Sequence, residues 1–493
     1  MARKLLSSRL LATAVAVLAG CASPQPRGAD EGGPVAACQR LLQQLDEQTD
    51  AHAVRDGGAT RIPGFSFLRV DRLLASFRDE ALQDAARWQA WGERLLEQDL
   101  VARTAEIRNL PPAAPEALGA AGRAALQARV SSCGPRLWQT LSADETARRR
   151  LRDAAVVPDD YSAVLRTLGL YPLSQWPFFA GVERELRHWQ SRWMTSPPPQ
   201  APGWVRYRPD AETVPSGSWR PLPVDALGIP APDAEAARRL LQAYAPVLHI
   251  ETRSEADRPG RLRWGEGPAP EVRTGQPVLY QRIAYTRYGD RVLPQLVYSL
   301  WFPERPPRHG LDLLAGRVDA VVLRLTLDER GRPLMLDSIH GCGCYHLFLP
   351  APTMALRPPP SARTEWAFVP ASLPRLAPGQ RLRVHLSASD HQLIGVAADE
   401  GVAEGEVLRL EDEDQLRSLP TPAGGHRSAF WSNGIMPGTE RGERALFWPM
   451  GIESPGAMRQ WGRHPTAFVG RRHFDDPRLL EQRFHRRQEA GAP

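Results

Sequence analysis

Two histidines and two cysteines alternate with other residues in one seven-residue stretch, and glycines occupy two of the positions between them. The four residues are His340, Cys342, Cys344 and His346. Imidazole and thiolate are the ligands that a tetrahedral zinc ion prefers, so the residue types predict a zinc site. In an extended strand, His340 and His346 would lie about 20 Å apart at roughly 3.3 Å per residue. A shared ion therefore requires the chain to curl at Gly341 and Gly343.

The same stretch allows two other interpretations. A disulfide between Cys342 and Cys344 would close a very small ring that is strained and easily reduced. Alternatively, the stretch is a glycine-rich turn with buried thiols and with histidines that are hydrogen-bonded to the backbone. Candidates for a further metal ligand from elsewhere are His385, His391 and His426. In a metal-dependent hydrolase, Asp337 or His391 would be the acid or base.

A second group of polar residues could support nucleophilic catalysis. It comprises Asp337, Ser338, His385, Ser387, Ser389, Asp390 and His391. A strand would put His385 and Ser387 on one face, which a Ser/His/Asp set could use. The sequence has no G-x-S-x-G, H-E-x-x-H, P-loop or Rossmann motif, so none of those enzyme classes is indicated.

The stretch 424–474 is rich in Gly, Trp, Arg and His. Arginine and tryptophan together can bind an anionic or sugar ligand by stacking and bidentate hydrogen bonds. The alternative is an irregular segment that packs across a sheet, in which Arg/Glu pairs satisfy one another. Arg441, Glu443 and Arg444 are residues that could pair in this way.

The first 21 residues have the pattern of an exported protein. Residues 1–9 are short and basic, and residues 10–18 are apolar but fewer than the about 20 that span a bilayer. The junction Leu18-Ala19-Gly20-Cys21 resembles the lipobox of bacterial lipoproteins. The resemblance implies cleavage before Cys21 and acylation of its thiol, as with palmitate, and of the new amino terminus. Because no Asp follows the cysteine, it implies the outer membrane, facing the periplasm.

The remaining cysteines suggest one disulfide. Cys38 and Cys133 lie in one helical region, whereas Cys342 and Cys344 are neighbours far along the chain. In an oxidising envelope we therefore expect a bridge between Cys38 and Cys133.

The hydrophobic period changes along the chain from helical to strand-like. Trp88, Trp91 and Leu95 share one helical face, which predicts a packed bundle. Residues 321–327 and 334–340 alternate on either side of a turn, which predicts a β-hairpin. The expected fold is α+β: an all-α domain, then a mostly antiparallel β domain, either a sandwich or an open barrel. The expected order is signal peptide 1–20, lipidated tether 21–36, helical domain 37–195, Pro-rich linker 196–232, β-rich domain 233–480 and tail 481–493.

Residues 164–182 form the most apolar stretch after the amino terminus. Arg166, Pro172 and Pro177 interrupt it, so it does not read as a clean membrane-spanning helix. It either packs in the core or rests with its aromatic residues on a lipid surface.

Composition and charge exclude several classes of protein. The 493 residues are 42% hydrophobic and 24% charged, which excludes fibrous, disordered and polytopic membrane proteins. The 62 Lys and Arg against 56 Asp and Glu leave a net charge of +6, and no basic run is interleaved with aromatic residues. We therefore expect no nucleic-acid partner.

Beyond the lipobox, the chain resembles a group of large bacterial lipoproteins with no assigned activity. The segments that carry this resemblance are 159–161, 169–172, 298–305 (YSLWFPER), 340–346 and 447–451. The resemblance implies no mechanism. We expect a lipid-anchored envelope protein that binds a protein or small-molecule ligand or has a structural role. The alternative is a metal-dependent envelope hydrolase, so enzymatic activity stays an open question.

Overall fold

The chain folds into helices followed by a large sheet, which confirms the α+β prediction. The computed structural model describes residues 33–194, 203–210 and 220–487. The helices are α1 (Pro34–Ala51), α2 (Arg72–Ala75), α3 (Ala85–Asn109), α4 (Ala114–Ala117), α5 (Arg123–Ser142), α6 (Glu145–Ala154), α7 (Ala163–Leu168), α8 (Tyr171–Arg192), α9 (Ala234–Tyr244), α10 (Arg444–Phe447) and α11 (Leu479–Arg483). Within the described ranges, none of them is long and apolar enough to cross a membrane.

The strands are concentrated in the second half of the chain. They are β1 (Thr60–Ile62), β2 (Phe65–Val70), β3 (Trp204–Pro209), β4 (Val247–Glu251), β5 (Arg261–Trp264), β6 (Pro270–Arg273), β7 (Val278–Tyr288), β8 (Arg291–Arg305), β9 (Gly316–Leu327), β10 (Pro333–His340), β11 (Leu347–Pro350), β12 (Met354–Leu356), β13 (Leu382–Leu386), β14 (Leu393–Ala398), β15 (Glu406–Asp412), β16 (Leu419–Pro420), β17 (His426–Arg427) and β18 (Phe484–Arg486). The predicted signal peptide and Cys21 lie outside the described residues, as does most of the tether.

The tryptophan face of α3 forms the core of the helical region, as predicted. The rings of Trp88 and Trp138 stack with centroids 4.8 Å apart, and Trp91 is fully buried beside them. Gly92 is required at this contact, because a Cβ atom there would lie 1.9 Å from the Trp138 ring. The Cys38–Cys133 disulfide joins α1 to α5, which confirms the predicted pairing.

The helical region also contains a hairpin that the sequence did not indicate. β1 and β2 pair in antiparallel orientation, and Arg69 in β2 is fully buried against α3. Its guanidinium group lies 2.7 Å from a carboxylate oxygen of Glu106 and 3.3 Å from one of Asp99. Arg69 occupies a core position at which the alternating pattern of a strand would have an apolar residue. The sequence did not indicate the strand, because the carboxylates that allow this burial come from a separate helix.

A single ten-stranded sheet dominates the second half and curls into a half-barrel, so the sandwich alternative does not occur. Its strand order is β11-β10-β9-β8-β7-β15-β3-β4-β13-β14. The predicted hairpin is present as β9 and β10, with Leu325 opposite Leu336. Neighbours from β7 to β11 are antiparallel, whereas β15 pairs in parallel with both β7 and β3.

Three segment boundaries differ from the prediction. Part of the expected Pro-rich linker is β3, which lies inside the sheet between β15 and β4 and buries Tyr207 completely. Helix α1 begins at Pro34, within the expected tether, because proline is compatible with the first turn of a helix. The expected tail begins inside α11 and continues as β18, which pairs with β12. Flanking prolines and arginines masked these short elements in the sequence.

Buried polar contacts join the helices to the sheet. The carboxylate of Asp56, near the end of α1, accepts hydrogen bonds from Arg417 at 2.6 Å and from Gln460 at 2.8 Å. The hydroxyl of Tyr161 donates to the backbone carbonyl oxygens of Ala467 and Arg472. The segment after β17 is therefore held against the helices.

Removing the disulfide should destabilise the protein without changing its fold. We expect Cys38→Ala/Cys133→Ala to lower the free energy of unfolding by about 2 to 5 kcal/mol, because the unfolded chain loses a cross-link that closes a long loop. Urea unfolding followed by circular dichroism measures this. A reductant should lower the midpoint of the wild type and leave the double variant unchanged; an equal effect on both would contradict the assignment.

Candidate ligand-binding site

A cavity of about 560 Å³ lies between α8, the turn that joins β10 to β11, and the C-terminal segment. On the helix side its wall is made of Phe178, Val182, Leu186 and Trp189. Their spacing of four, four and three residues places these side chains on one face of α8. Pockets for small molecules commonly have about 300 to 1,000 Å³ and mostly apolar walls, so this cavity has the size and lining of a ligand site.

Helix α8 is fixed at its carboxyl-terminal end. Trp189 is the one residue of α8 that is buried, and its indole N–H donates to the carbonyl oxygen of Leu393 at 3.2 Å. Its ring packs between Tyr345 and Phe368. Arg192 forms an ion pair of 2.6 Å with Asp390. The rest of α8 spans the open side of the cavity.

The turn at residues 340–344 forms the opposite wall. The N–H of His340 donates to the carbonyl oxygen of Cys344 at 2.9 Å, and that of Gly343 donates to the carbonyl oxygen of His340 at 2.8 Å. Gly343 has φ of +93°, and a Cβ atom there would lie 2.2 Å from the carbonyl oxygen of Pro465. The glycines thus let the chain curl, as a shared metal site would require.

The curl does not bring the four predicted ligands together. His346 points to Asp337, with Nε2 3.0 Å from the carboxylate, and His340 points to Asp319 at 4.0 Å. Among the described residues, no three His, Cys, Asp or Glu side chains are grouped so that they could hold a metal ion. This arrangement does not favour the zinc interpretation. His426, another candidate ligand, is exposed on β17.

Cys342 and Cys344 both line the cavity, and both are free thiols, so the disulfide alternative is not present. The backbone N–H of Cys344 donates to the sulfur of Cys342 at 3.4 Å. A hydrogen bond with Cys342 and burial raise the pKa of the Cys344 thiol well above its usual value. A protonated thiol is a weak nucleophile, so Cys344 serves the wall as a small apolar group. The glycine-rich turn is the interpretation that the backbone supports, but its histidine side chains face carboxylates and, among the described residues, are not hydrogen-bonded to the backbone as that interpretation expected.

The two predicted acid–base residues lie in separate buried ion-pair networks. Asp337 binds Arg324, with Nε 3.0 Å from Oδ1, in addition to His346. His391 lies 2.8 Å from Asp319 and 3.6 Å from Asp257. Burial disfavours the charged imidazole of His391, but these two carboxylates outweigh it and raise its pKa. Both candidate groups therefore have structural partners.

The Ser/His/Asp set is also not assembled. The hydroxyl of Ser387 donates to Asp390 at 2.5 Å, but His385 lies beside His249, with ring centroids 5.1 Å apart. Neither ring nitrogen of His385 has a hydrogen-bond partner among the residues that the structure describes. Burial lowers the pKa of His385 to about 3, with a contribution from His249. Without a histidine in contact with it, Ser387 lacks the general base of a Ser/His/Asp set.

Glu443 is the functional candidate that the sequence did not single out. Its side chain lines the cavity, is 6% exposed, and has no hydrogen bond or ion pair to any described residue. Burial raises its pKa to about 7, although Arg305 and Arg441 act in the opposite direction. The expected Arg/Glu pairing fails here, because Arg441 donates instead to the carbonyl oxygen of Val318 and lies 3.4 Å from Asp319.

The other end of the cavity has a satisfied carboxylate. Glu365 accepts the backbone N–H groups of Phe468 at 2.8 Å and Val469 at 3.0 Å, and it pairs with Arg472 at 3.3 Å. Glu443 therefore differs from Glu365 in having no such partner. It is placed to meet a polar group of a ligand.

Comparisons with known proteins add no residue to this site. No protein-family model, curated protein or solved structure matches the chain. The functional inference therefore depends on the geometry of the cavity.

Replacing Glu443 should change how stability depends on pH. Between pH 4.5, the ordinary pKa of a glutamate, and about pH 7, the folded protein keeps a proton on Glu443 that the unfolded chain has released. The group therefore lowers the free energy of unfolding as pH rises through this window. We expect the free energy of unfolding of Glu443→Gln, relative to that of the wild type, to increase by about 3 kcal/mol between pH 4 and pH 8.

Urea unfolding of both proteins at several pH values measures this difference. Glu440→Gln is the matched control, since Glu440 lies three residues away and does not line the cavity. It should keep the pH dependence of the wild type. Parallel stability profiles for the wild type and Glu443→Gln would contradict the assigned environment of Glu443.

Proposed function

We propose that this protein binds an elongated apolar small molecule at the bacterial cell envelope, to which acylated Cys21 anchors it. The observation that carries the proposal is the cavity of about 560 Å³ between α8 and the glycine–cysteine turn. The lipobox resemblance supports an anchor in the outer membrane, facing the periplasm.

The polar residues that the sequence indicated as catalytic are held by other protein groups, which supports binding rather than catalysis. Asp337 is bound by Arg324 and His346, and His391 lies between two carboxylates. The Cys344 thiol, which does face the cavity, has a raised pKa. Catalysis needs a nucleophile or an acid–base group that is free to act at a bound substrate. Glu443 is the buried carboxyl group of the cavity without a partner among the described residues, and we assign it the role of a polar contact for the ligand.

The shape and lining of the cavity support an elongated hydrocarbon ligand. The lining positions on α8 run from Phe178 to Trp189, a rise of about 16 Å at about 1.5 Å per residue. Aromatic side chains from other segments complete the wall; they are Trp366, Phe368, Phe447 and Phe468. Each methylene group that leaves water for such a wall contributes about 0.8 kcal/mol. An acyl chain or a similar hydrocarbon suits this lining.

A larger side chain in the cavity should weaken ligand binding. Gly181 lines the cavity from an exposed position and has open space at its Cβ position, so Gly181→Phe places a ring at the cavity wall without a backbone clash. We expect the dissociation constant for a dansyl-labelled fatty acid to be at least tenfold larger than that of the wild type. Energy transfer from tryptophan to the dansyl group measures it, because Trp189 and Trp366 lie in the wall.

The matched control is Ala180→Phe, which adds the same ring to the neighbouring position of α8. Ala180 is exposed and does not line the cavity. It should bind the probe as the wild type does. Equal affinity of the Gly181→Phe variant and the control, or no saturable binding by the wild type, would contradict the proposal.

A further inference from the structure

One face of the molecule exposes a concentration of large apolar side chains. They are Val164, Leu168, Leu170, Leu173, Trp176, Leu446 and Trp448, and we call them the apolar patch. Leu168 and Leu173 are each 68% exposed, and Leu446 is 56% exposed. No residue of α7 is buried. The structure therefore contradicts core packing for most of the apolar stretch 164–182.

The patch is one continuous surface, although it comes from distant parts of the chain. Gly169 lies against Pro449, where a Cβ atom would be 2.5 Å from the proline ring. The guanidinium group of Arg166 donates to the carbonyl oxygen of Met450 at 2.8 Å. The rings of Phe178 and Phe447 meet with centroids 5.5 Å apart. Helices α7 and α8 are thus joined to residues 444–450.

Three arginines lie in or beside the patch. Arg166 is the one charged residue between positions 161 and 182. Arg363 stacks over the ring of Trp176 at 4.0 Å, and Arg444 is exposed two residues before Leu446. None of these three arginines forms an ion pair within the part of the chain that the structure describes. Tryptophan and leucine with a cationic border are typical of a surface that rests on anionic lipid.

The patch borders the mouth of the cavity. Pro177 and Leu446 are exposed and also line the cavity, so they lie where it opens. Phe178 and Phe447 continue the same wall inwards. An apolar surface and an apolar cavity are therefore contiguous.

We propose that the apolar patch docks on the surface of an anionic phospholipid bilayer and places the mouth of the cavity at the lipid interface. An apolar ligand then passes between bilayer and cavity without crossing water; this second step rests on the proposed function, whereas the docking does not. Large exposed apolar patches mark interaction sites, and the uncompensated arginines favour lipid headgroups of negative charge over another protein surface.

The test uses residues 22–493, exported with a signal peptide that does not lead to acylation, so that no lipid anchor contributes. Co-sedimentation with phosphatidylglycerol-containing vesicles measures the affinity, and phosphatidylcholine vesicles measure the preference for negative charge. We expect at least tenfold weaker binding to anionic vesicles for Leu168→Glu/Leu173→Glu. The control is Leu100→Glu/Val224→Glu, which adds the same charge at exposed apolar positions outside the patch; it should bind as the unaltered protein does.

The remaining outcomes separate the two proposals. Equal sedimentation of patch variant and control, or no binding by the unaltered protein, would overturn docking. Self-association that the patch variant abolishes, seen by analytical ultracentrifugation without vesicles, would show that the patch binds a second copy and would also overturn it. The patch variant should keep its affinity for the dansyl fatty acid in solution. Vesicle binding without any probe binding would reject the ligand proposal and leave docking intact.

Discussion

The cavity depends on how α8 is attached to the sheet. Trp189 fixes the carboxyl-terminal end of the helix through its hydrogen bond to Leu393 and its contacts with Tyr345 and Phe368. The preceding turns have no buried residue of their own, so they span the space between the sheet and residues 443–447. A helix face that is apolar but lacks packing partners leaves room for a ligand on one side and for a lipid surface on the other.

The lining of the cavity is mostly apolar because most of the charged groups around it are paired with one another. Asp319 and Asp337 hold their histidine and arginine partners in buried ion pairs. The tight turn at Gly343 presents thiols to the cavity; His346 also lines it, but its Nε2 atom faces Asp337. Glu443 is the buried carboxyl group without such a partner among the described residues, since its neighbour Arg441 is engaged elsewhere. A ligand would therefore meet Glu443 in mostly apolar surroundings.

Local periodicity predicted the elements whose partners are near in sequence or whose pattern is long. The tryptophan face of α3 and the β9–β10 hairpin are in this class. The Cys38–Cys133 bridge was predicted instead from the positions of the cysteines along the chain. β2 and β3 were missed because a buried arginine and flanking prolines broke their patterns. The site itself could not be predicted, because the pairing of neighbouring strands decides which polar side chains meet. His340 and His346 resemble metal ligands until Asp319 and Asp337 are placed beside them.

The central claim is that the space beneath α8 holds an apolar ligand, and a crystal structure with a brominated fatty acid tests it most directly. Anomalous scattering locates the bromine without assumptions about the ligand's conformation. The account predicts a single strong peak inside the cavity, between the Phe178–Trp189 face and the turn that carries Cys342 and Cys344. Bromine confined to the outer surface, or a cavity closed by the protein's own side chains, would contradict it.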